Sequence, residues 1–173
     1  MSIVTTKGTP FAVVLLMLGF LVQGFATSAA STGVAVAAEP TRPEYVATAE
    51  PICKANTTAN RAILRGTRED IRDGKFKRAG GKFQRAARAL DGTIKSLERL
   101  SRPPEDADIL ARWFDRLNEE ADLLDRVAKR LMTGKAAGVG RYVLEMRHTA
   151  NKANNVVLTF GFEYCLLQPA RYL

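Results

Sequence analysis

Two cysteines, Cys53 and Cys165, are the only thiols of the chain and could act as a pair. Two thiols can form a disulfide, or they can bind a metal ion when further cysteine or histidine ligands join them. The sequence contains a single histidine, His148, so a metal site would lack ligands. We therefore predict one disulfide between Cys53 and Cys165, with free or metal-binding thiols as the alternative.

Four arginines recur at spacings of four, three and four residues, which predicts one face of a helix: Arg61, Arg65, Arg68 and Arg72. They begin a basic region, because residues 61–88 contain ten Lys and Arg against three acids, whereas residues 105–125 contain eight acids and two arginines. Arginine binds phosphate oxygens in pairs. We expect this face to bind an anionic lipid or wall polymer, and no specific nucleic acid. The alternative is a solvated face that the acidic segment partly neutralises.

Four asparagines occur beside alanines, two in the first predicted helix and two in the last: Asn56, Asn60, Asn151 and Asn154. Residues at one level of two antiparallel helices have a nearly constant index sum. Asn56 is therefore predicted to face Asn154, and Asn60 to face Asn151. Such a polar ladder either fixes the register of the two helices by hydrogen bonds or forms part of a ligand pocket.

Catalytic and cofactor motifs are not found in the sequence. His148 lies two residues after Met146, but the helical pattern places it on the charged face, so we expect it to be exposed and not to bind haem or a metal. The acid pair Glu119–Glu120 falls on a charged helix and is interpreted as a solvated face rather than a catalytic dyad. We expect no enzyme and no cofactor, although an enzyme with an unrecognised site is kept as an alternative.

Amphipathic helices are predicted in four segments, because apolar residues recur there at spacings of three and four. The segments cover about residues 44–73, 75–100, 105–133 and 136–160. Pro51 lies inside the first segment and predicts a break or a kink, with the main helix starting there. No segment alternates as a strand would, so the fold class is predicted to be all-α.

An up-down-up-down four-helix bundle is the arrangement that four such helices with short connections favour. In that topology the first and fourth helices are antiparallel neighbours, and Cys53 and Cys165 lie at the same end of the bundle. Four aromatic residues are expected to gather at this end, either as a plug or as the lining of a cleft for an apolar ligand: Tyr45, Phe160, Phe162 and Tyr164.

The first 38 residues are typical of a signal peptide for export. Lys7 is their only charge, residues 11–25 are apolar, and the small residues that follow allow cleavage after Ala37 or Ala38. This apolar stretch is shorter than the about 20 residues of a spanning helix, so retention as an anchor is the weaker alternative. We predict a signal peptide (1–38), a linker (39–43) and a helical domain (44–173) that is secreted or associated with the cell envelope.

The segments around the two cysteines are EYVATAEPICKANTTAN (44–60) and NKANNVVLTFGFEYC (151–165). In these segments, in the Pro-Pro break and in the tryptophan of the third helix, the chain resembles a family of uncharacterised exported, disulfide-closed all-helical proteins from high-GC bacteria. The resemblance implies the same domain and the same disulfide, and it brings no activity. The sequence thus predicts a non-catalytic exported bundle that binds an anionic envelope component through its basic face. The alternative is a carrier or sensor of a small ligand that uses the aromatic and asparagine end.

Overall fold

The computed structural model describes residues 39–169, and these residues form helices and turns without a β-strand. The predicted all-α class is confirmed for this part of the chain. The predicted signal peptide and the last four residues of the predicted domain lie outside the described residues. Four long helices and one short helix follow one another: α1 (Arg42–Ile63), α2 (Thr67–Arg72), α3 (Phe76–Glu98), α4 (Ala107–Met132) and α5 (Val139–Val156). The 3-10 turns Pro104–Asp106 and Leu158–Phe160 precede α4 and follow α5.

Helix α1 begins at Arg42 and so includes the last two residues of the predicted linker. The carboxylate of Glu44 accepts hydrogen bonds from the backbone N–H (2.7 Å) and the hydroxyl (2.8 Å) of Thr41, which lowers the pKa of Glu44 and caps the helix. Pro43 lies in the first turn of α1, where backbone N–H groups have no acceptor within the helix, so the N–H that proline lacks costs no hydrogen bond. Pro51 lies inside α1 without ending it, so the predicted helix start at Pro51 is wrong.

The predicted first helix is two helices, because the turn at residues 64–66 ends α1. Gly66 has a φ of 70°, a left-handed conformation that glycine adopts without steric cost. The short helix α2 then packs on α3. Its buried Asp70 forms ion pairs with Arg78 and with Lys82 (2.6 Å to the Nζ atom), which hold the pKa of Asp70 below its usual range.

The core lies mainly between α3 and α4, whose predicted apolar faces are buried. From α3 it includes Phe83, Leu90 and Ile94, and from α4 it includes Leu110, Trp113, Leu117 and Leu131. Gly80 allows the two helices to approach closely, since an added Cβ would lie 2.9 Å from the carbonyl oxygen of Ala128. The second and third predicted helices therefore occur as the apolar pattern indicated.

The predicted disulfide is confirmed, but the predicted packing of the first helix against the last is wrong. Cys53 and Cys165 are bonded, with 4.9 Å between their Cα atoms. Helix α1 packs on α3, α3 on α4, and α4 on α5, whereas α1 meets the C-terminal part of the chain through the turn Leu158–Phe160. Cys165 lies nine residues beyond the end of α5, so the intervening segment, not α5 itself, reaches α1.

A buried ion pair joins the start of α1 to the start of α4. Asp106 is fully buried and accepts two hydrogen bonds from Arg42, at 2.8 Å from Nε and 2.5 Å from Nη2. The same guanidinium lies 4.8 Å from the ring centroid of Phe160. Within residues 39–169, no helix is both long enough and apolar enough to cross a membrane.

Candidate ligand-binding cavity

A cavity of about 210 Å³ lies between α1, α3, α4 and the segment that follows α5. We call it the α1–α4 cavity, and we call residues 163–169, which form one of its walls, the cover. Leucines from α3, α4 and the cover give the cavity its apolar surface: Leu90, Leu97, Leu117, Leu124, Leu166 and Leu167. The cavity is smaller than the about 300–1,000 Å³ typical of sites for drug-sized ligands, so it suits a small molecule.

The α1 wall of the cavity is polar. It consists of Cys53, Asn56, Thr57 and Asn60, which recur on one face of the helix. The amide of Asn60 donates a hydrogen bond to Oδ1 of Asn56 (3.1 Å), and the Thr57 hydroxyl donates to the carbonyl oxygen of Tyr164 (3.4 Å). The Oδ1 atom of Asn60 is buried, and no donor within residues 39–169 reaches it. One acceptor on this wall is therefore open to a ligand.

The α4 wall contains two further buried polar atoms without a partner. Glu120 is 4% exposed and Trp113 is fully buried, and both line the cavity. No group of the described chain forms a hydrogen bond with Oε2 of Glu120 or with Nε1 of Trp113. Burial, with a smaller contribution from the charge of Glu119, raises the pKa of Glu120 to about 8. The carboxyl group is therefore largely protonated at neutral pH while the cavity is empty.

The cover is held in place by the disulfide and by hydrogen bonds to α1 and α5, including the bond from the Thr57 hydroxyl to Tyr164. Cys165 is bonded to Cys53 on α1, and the carboxylate of Glu50 accepts hydrogen bonds from the backbone N–H groups of Glu163 (2.8 Å) and Tyr164 (2.9 Å). At the other side, Asn154 of α5 accepts a bond from the N–H of Leu167 (2.8 Å) and donates one to its carbonyl oxygen (3.0 Å). The cover is thus fixed to both α1 and α5.

Three of the four asparagines singled out in the sequence lie at this cavity or its cover, but not in the predicted pairs. Asn56 and Asn60 hydrogen-bond to each other along α1, and Asn154 bonds to Leu167 of the cover. Asn151 is exposed on α5. The cross-helix ladder is not formed because α1 and α5 are not packed side by side; the cover instead hydrogen-bonds to Thr57 of α1 and to Asn154 of α5.

The aromatic residues divide between a buried stack and the cavity. Phe162 stacks on Trp113 with 5.4 Å between ring centroids, and Phe160 stacks on Phe162 at the same distance. Tyr164 lines the cavity, and Lys54 lies 4.9 Å from its ring centroid. Tyr45 is buried, and burial raises the pKa of its hydroxyl to about 12. Three of the four residues are thus buried in the core, and Tyr164 lines the cavity.

The four arginines of the predicted basic face are all exposed but do not share one helix: Arg61, Arg65, Arg68 and Arg72. Arg61 is in the last turn of α1, Arg65 is in the turn, and Arg68 and Arg72 belong to α2. Arg72 lies 3.6 Å from a carboxylate oxygen of Asp73. The turn at residues 64–66 therefore interrupts the helical spacing of the four arginines, from which one shared helix face was predicted.

His148 is exposed on α5, in a surface depression that it shares with Glu119, Glu145 and Lys152. Among the described residues, no cluster of three or more histidine, cysteine and acidic side chains could hold a metal ion.

The burial of Glu120 was missed because it was grouped with its exposed neighbour Glu119. The signal is present in the sequence, since Glu120 lies three residues after Leu117 and four before Leu124, on the buried face of α4. A carboxyl group at such a position on the apolar face is either exposed by a local distortion of the helix or buried with the apolar residues beside it. The structure shows the second outcome.

No protein-family model, curated protein or solved structure matches the chain.

Proposed function

We propose that the protein is an exported, non-catalytic binding protein that holds a small organic molecule in the α1–α4 cavity. The observation that carries this proposal is the presence of three buried polar atoms without a partner on the cavity wall: Glu120 Oε2, Trp113 Nε1 and Asn60 Oδ1. A buried polar group left without a hydrogen bond costs about 1–3 kcal/mol. A ligand with complementary polar groups would remove this cost at all three atoms.

Export is supported by the sequence of residues 1–38 and by the disulfide. Disulfides persist outside the cytoplasm, where no reducing system opens them. N-terminal sequencing of the protein from its native host should give a start at Ala38 or Glu39. Recovery of the intact residues 1–38 in a membrane fraction would contradict the proposal.

We further propose that the four long helices alternate up-down-up-down. The packing of α3 on α4 and of α4 on α5 supports this arrangement, because helices joined by short connections pack as antiparallel neighbours.

Binding without chemical conversion is supported by the lining of the cavity. Its two carboxyl groups, in Glu120 and Glu163, have no histidine or free thiol beside them among the described lining residues. A hydroxyl nucleophile would require a base within hydrogen-bond reach, and His148 lies on α5 outside this lining. We therefore assign the polar atoms to recognition of a ligand.

A cavity-filling substitution tests the site. Thr93 lines the cavity, and its hydroxyl donates to the carbonyl oxygen of Ala89 (2.9 Å). Thr48 makes the same bond to Glu44 (2.9 Å) on the exposed side of α1, so Thr48→Met is a matched control for Thr93→Met. Trp113 is the only tryptophan, so its fluorescence reports on the cavity alone.

The titration uses a panel of small alkyl and aryl amines, alcohols and carboxylic acids. We expect at least one member to change the Trp113 emission saturably, with an affinity that Thr93→Met lowers at least tenfold and Thr48→Met leaves unchanged. The proposal is wrong if no panel member binds and native mass spectrometry of the protein from its host shows no co-purified molecule. Equal binding by the two methionine variants would place the ligand elsewhere.

A second candidate function is the binding of an anionic envelope component by the exposed arginines Arg61, Arg65, Arg68 and Arg72. Two observations favour this function. All four arginines are exposed, and within residues 39–169 no carboxylate lies within ion-pair distance of Arg61, Arg65 or Arg68. Each basic residue near an anionic membrane contributes about 1 kcal/mol, and salt screens this attraction.

Sedimentation with vesicles of acidic lipid, or with a wall polymer, at low and high salt tests the second candidate. Changing all four arginines to glutamine should weaken low-salt binding at least tenfold. The matched control changes four other exposed arginines, Arg99, Arg112, Arg126 and Arg147, and removes the same charge. Equal losses in the two variants would indicate non-specific attraction to the net charge, and no binding by the wild type would exclude this function.

A further inference from the structure

The carboxyl groups among the described lining residues of the α1–α4 cavity distinguish it from the chain as a whole, which is basic. The whole sequence has a net charge of +8. The charged residues that line the cavity are Glu120 and Glu163, and no lysine or arginine of residues 39–169 is among the lining residues. The charges that these lining residues can acquire are therefore negative, and they complement a ligand with positive charge rather than one with negative charge.

The unpaired atoms of the cavity specify the polar groups that a ligand needs. Asn60 Oδ1 is an acceptor, and Glu120 Oε2 is an acceptor once its carboxyl group ionises, so the ligand group that complements the ionised form is a cation with N–H donors. A primary ammonium group has three N–H donors, whereas a quaternary ammonium has none. Trp113 Nε1 is a donor and could bond to an oxygen atom elsewhere in the ligand.

We infer that the ligand is a small primary amine with an apolar body, and that its ammonium group pairs with the carboxylate of Glu120 while its body lies against Trp113 and the leucines. This inference rests on the proposed function and names the chemical class that the cavity recognises. An aromatic ring beside a cation adds a favourable electrostatic contact. The apolar body accounts for the six leucines of the lining.

Binding of an ammonium ion requires Glu120 to ionise, and this makes the affinity depend on pH. Because burial raises the pKa of Glu120 to about 8, the empty cavity must release a proton when the amine binds near neutral pH. The titratable neighbours are Glu119 on the same helix and Glu163 and Tyr164 in the cover, while the α1 and α3 walls contribute none. The affinity should therefore rise up to about tenfold per unit between roughly pH 6 and pH 8.

The test compares ligands of one shape and different charge. The probes are 2-phenylethylamine, 2-phenylethanol, phenylacetate and the trimethylammonium form of the amine, with hexylamine and hexanol as an aliphatic pair. Trp113 fluorescence and calorimetry measure their binding to the wild type, to Glu120→Gln and to the control Glu98→Gln, whose side chain is exposed at the end of α3. We expect each primary amine to bind at least tenfold more tightly than its alcohol, and Glu120→Gln to remove this preference.

Different failures identify different errors. If the alcohol, the carboxylate or the trimethylammonium form binds as tightly as the primary amine, the inferred ligand class is wrong although the cavity still binds ligands. If no probe and no member of the wider panel binds, and native mass spectrometry shows no co-purified molecule, the proposed function itself fails. The pH dependence needs no variant, so an affinity of the wild type that does not rise between about pH 6 and pH 8 overturns the inference even if Glu120→Gln does not fold.

Discussion

The buried carboxyl group of Glu120 makes the stability of the protein depend on pH. Its pKa is about 8 in the folded protein and about 4.3 in an unfolded chain, so folding takes up a proton between these values. Below about pH 4 both states are protonated and the residue contributes no pH dependence. As pH rises through the interval, the unfolded state ionises first and is favoured.

We predict that Glu120→Gln removes this loss of stability. The free energy of unfolding of the wild type should fall relative to the variant by about 2–5 kcal/mol between pH 4 and pH 9, as a shift of this size implies. Denaturant unfolding across this range measures it, with Glu98→Gln as the exposed control. A constant difference between wild type and Glu120→Gln at every pH would contradict the prediction.

The hydroxyl of Tyr45 is a further buried polar group without a partner among the described residues. Tyr45→Phe removes the hydroxyl and keeps the ring, so we expect the free energy of unfolding to stay the same or to rise by up to about 1 kcal/mol. The control Tyr142→Phe changes a half-buried tyrosine of α5 and should have little effect. A loss of more than about 1 kcal/mol in Tyr45→Phe would indicate an unrecognised hydrogen bond.

Individual residues were predictable from the sequence where few alternatives existed. Cys53 and Cys165 had no other thiol to pair with, and His148 was placed correctly on the exposed face of its helix. The partners of the asparagines were not predictable, because they depend on which helices pack together. Asn154 bonds to a backbone segment that carries no distinctive sequence signal.

At the scale of elements, the close approach of α3 and α4 depends on Gly80. We predict that Gly80→Ala lowers the free energy of unfolding by about 1–3 kcal/mol. The added Cβ would lie 2.7 Å from Cγ of Met132 and 3.0 Å from its backbone nitrogen, and backbone atoms cannot move unless the helices separate. Thermal and denaturant unfolding measure the loss.

Gly92 is the matched control, because it lies in the same helix and a Cβ added there would meet no atom of the described chain within 4 Å. At that position an alanine should raise the free energy of unfolding by about 0.5–1 kcal/mol, since alanine has the higher helix propensity. Opposite signs for Gly80→Ala and Gly92→Ala are therefore the expected result. If both substitutions stabilise the protein, the contact between α3 and α4 at Gly80 is not as close as the structure shows.

The helices themselves were predictable wherever an uninterrupted apolar face decided them. Helices α3 and α4 occur close to their predicted bounds, because their apolar residues recur at helical spacing over more than twenty positions. The break between α1 and α2 was not predicted, because the helical spacing of residues 44–73 was taken to continue through Gly66. Gly66 instead has a positive φ, and α2 packs on α3 as a separate helix.

At the scale of the whole molecule, the disulfide joins positions 112 residues apart in sequence. We predict that changing Cys53 and Cys165 together to alanine lowers the free energy of unfolding by about 2–5 kcal/mol, because the unfolded chain gains conformational freedom. Circular dichroism should show that the helices persist, since the apolar packing between α3 and α4 does not depend on the bond.

Reduction of the wild type should reproduce the effect of the double substitution. Hydrogen exchange at the amides of Tyr164 and Leu167 should also accelerate, because the cover loses its covalent attachment to α1. A variant with unchanged stability and unchanged exchange would show that the hydrogen bonds of Glu50, Thr57 and Asn154 suffice to hold the cover.

The attachment of the cover also sets an order of events during biogenesis. Cys165 follows the four long helices in the chain, so the wall that it anchors can form only after all of them have been synthesised. The disulfide then forms in an oxidising compartment. In the export that we propose, a molecule of the cytoplasm would meet a precursor whose cavity wall is not yet anchored by this bond. The proposed ligand would thus be selected from the compartment in which the disulfide forms and not from the compartment of synthesis.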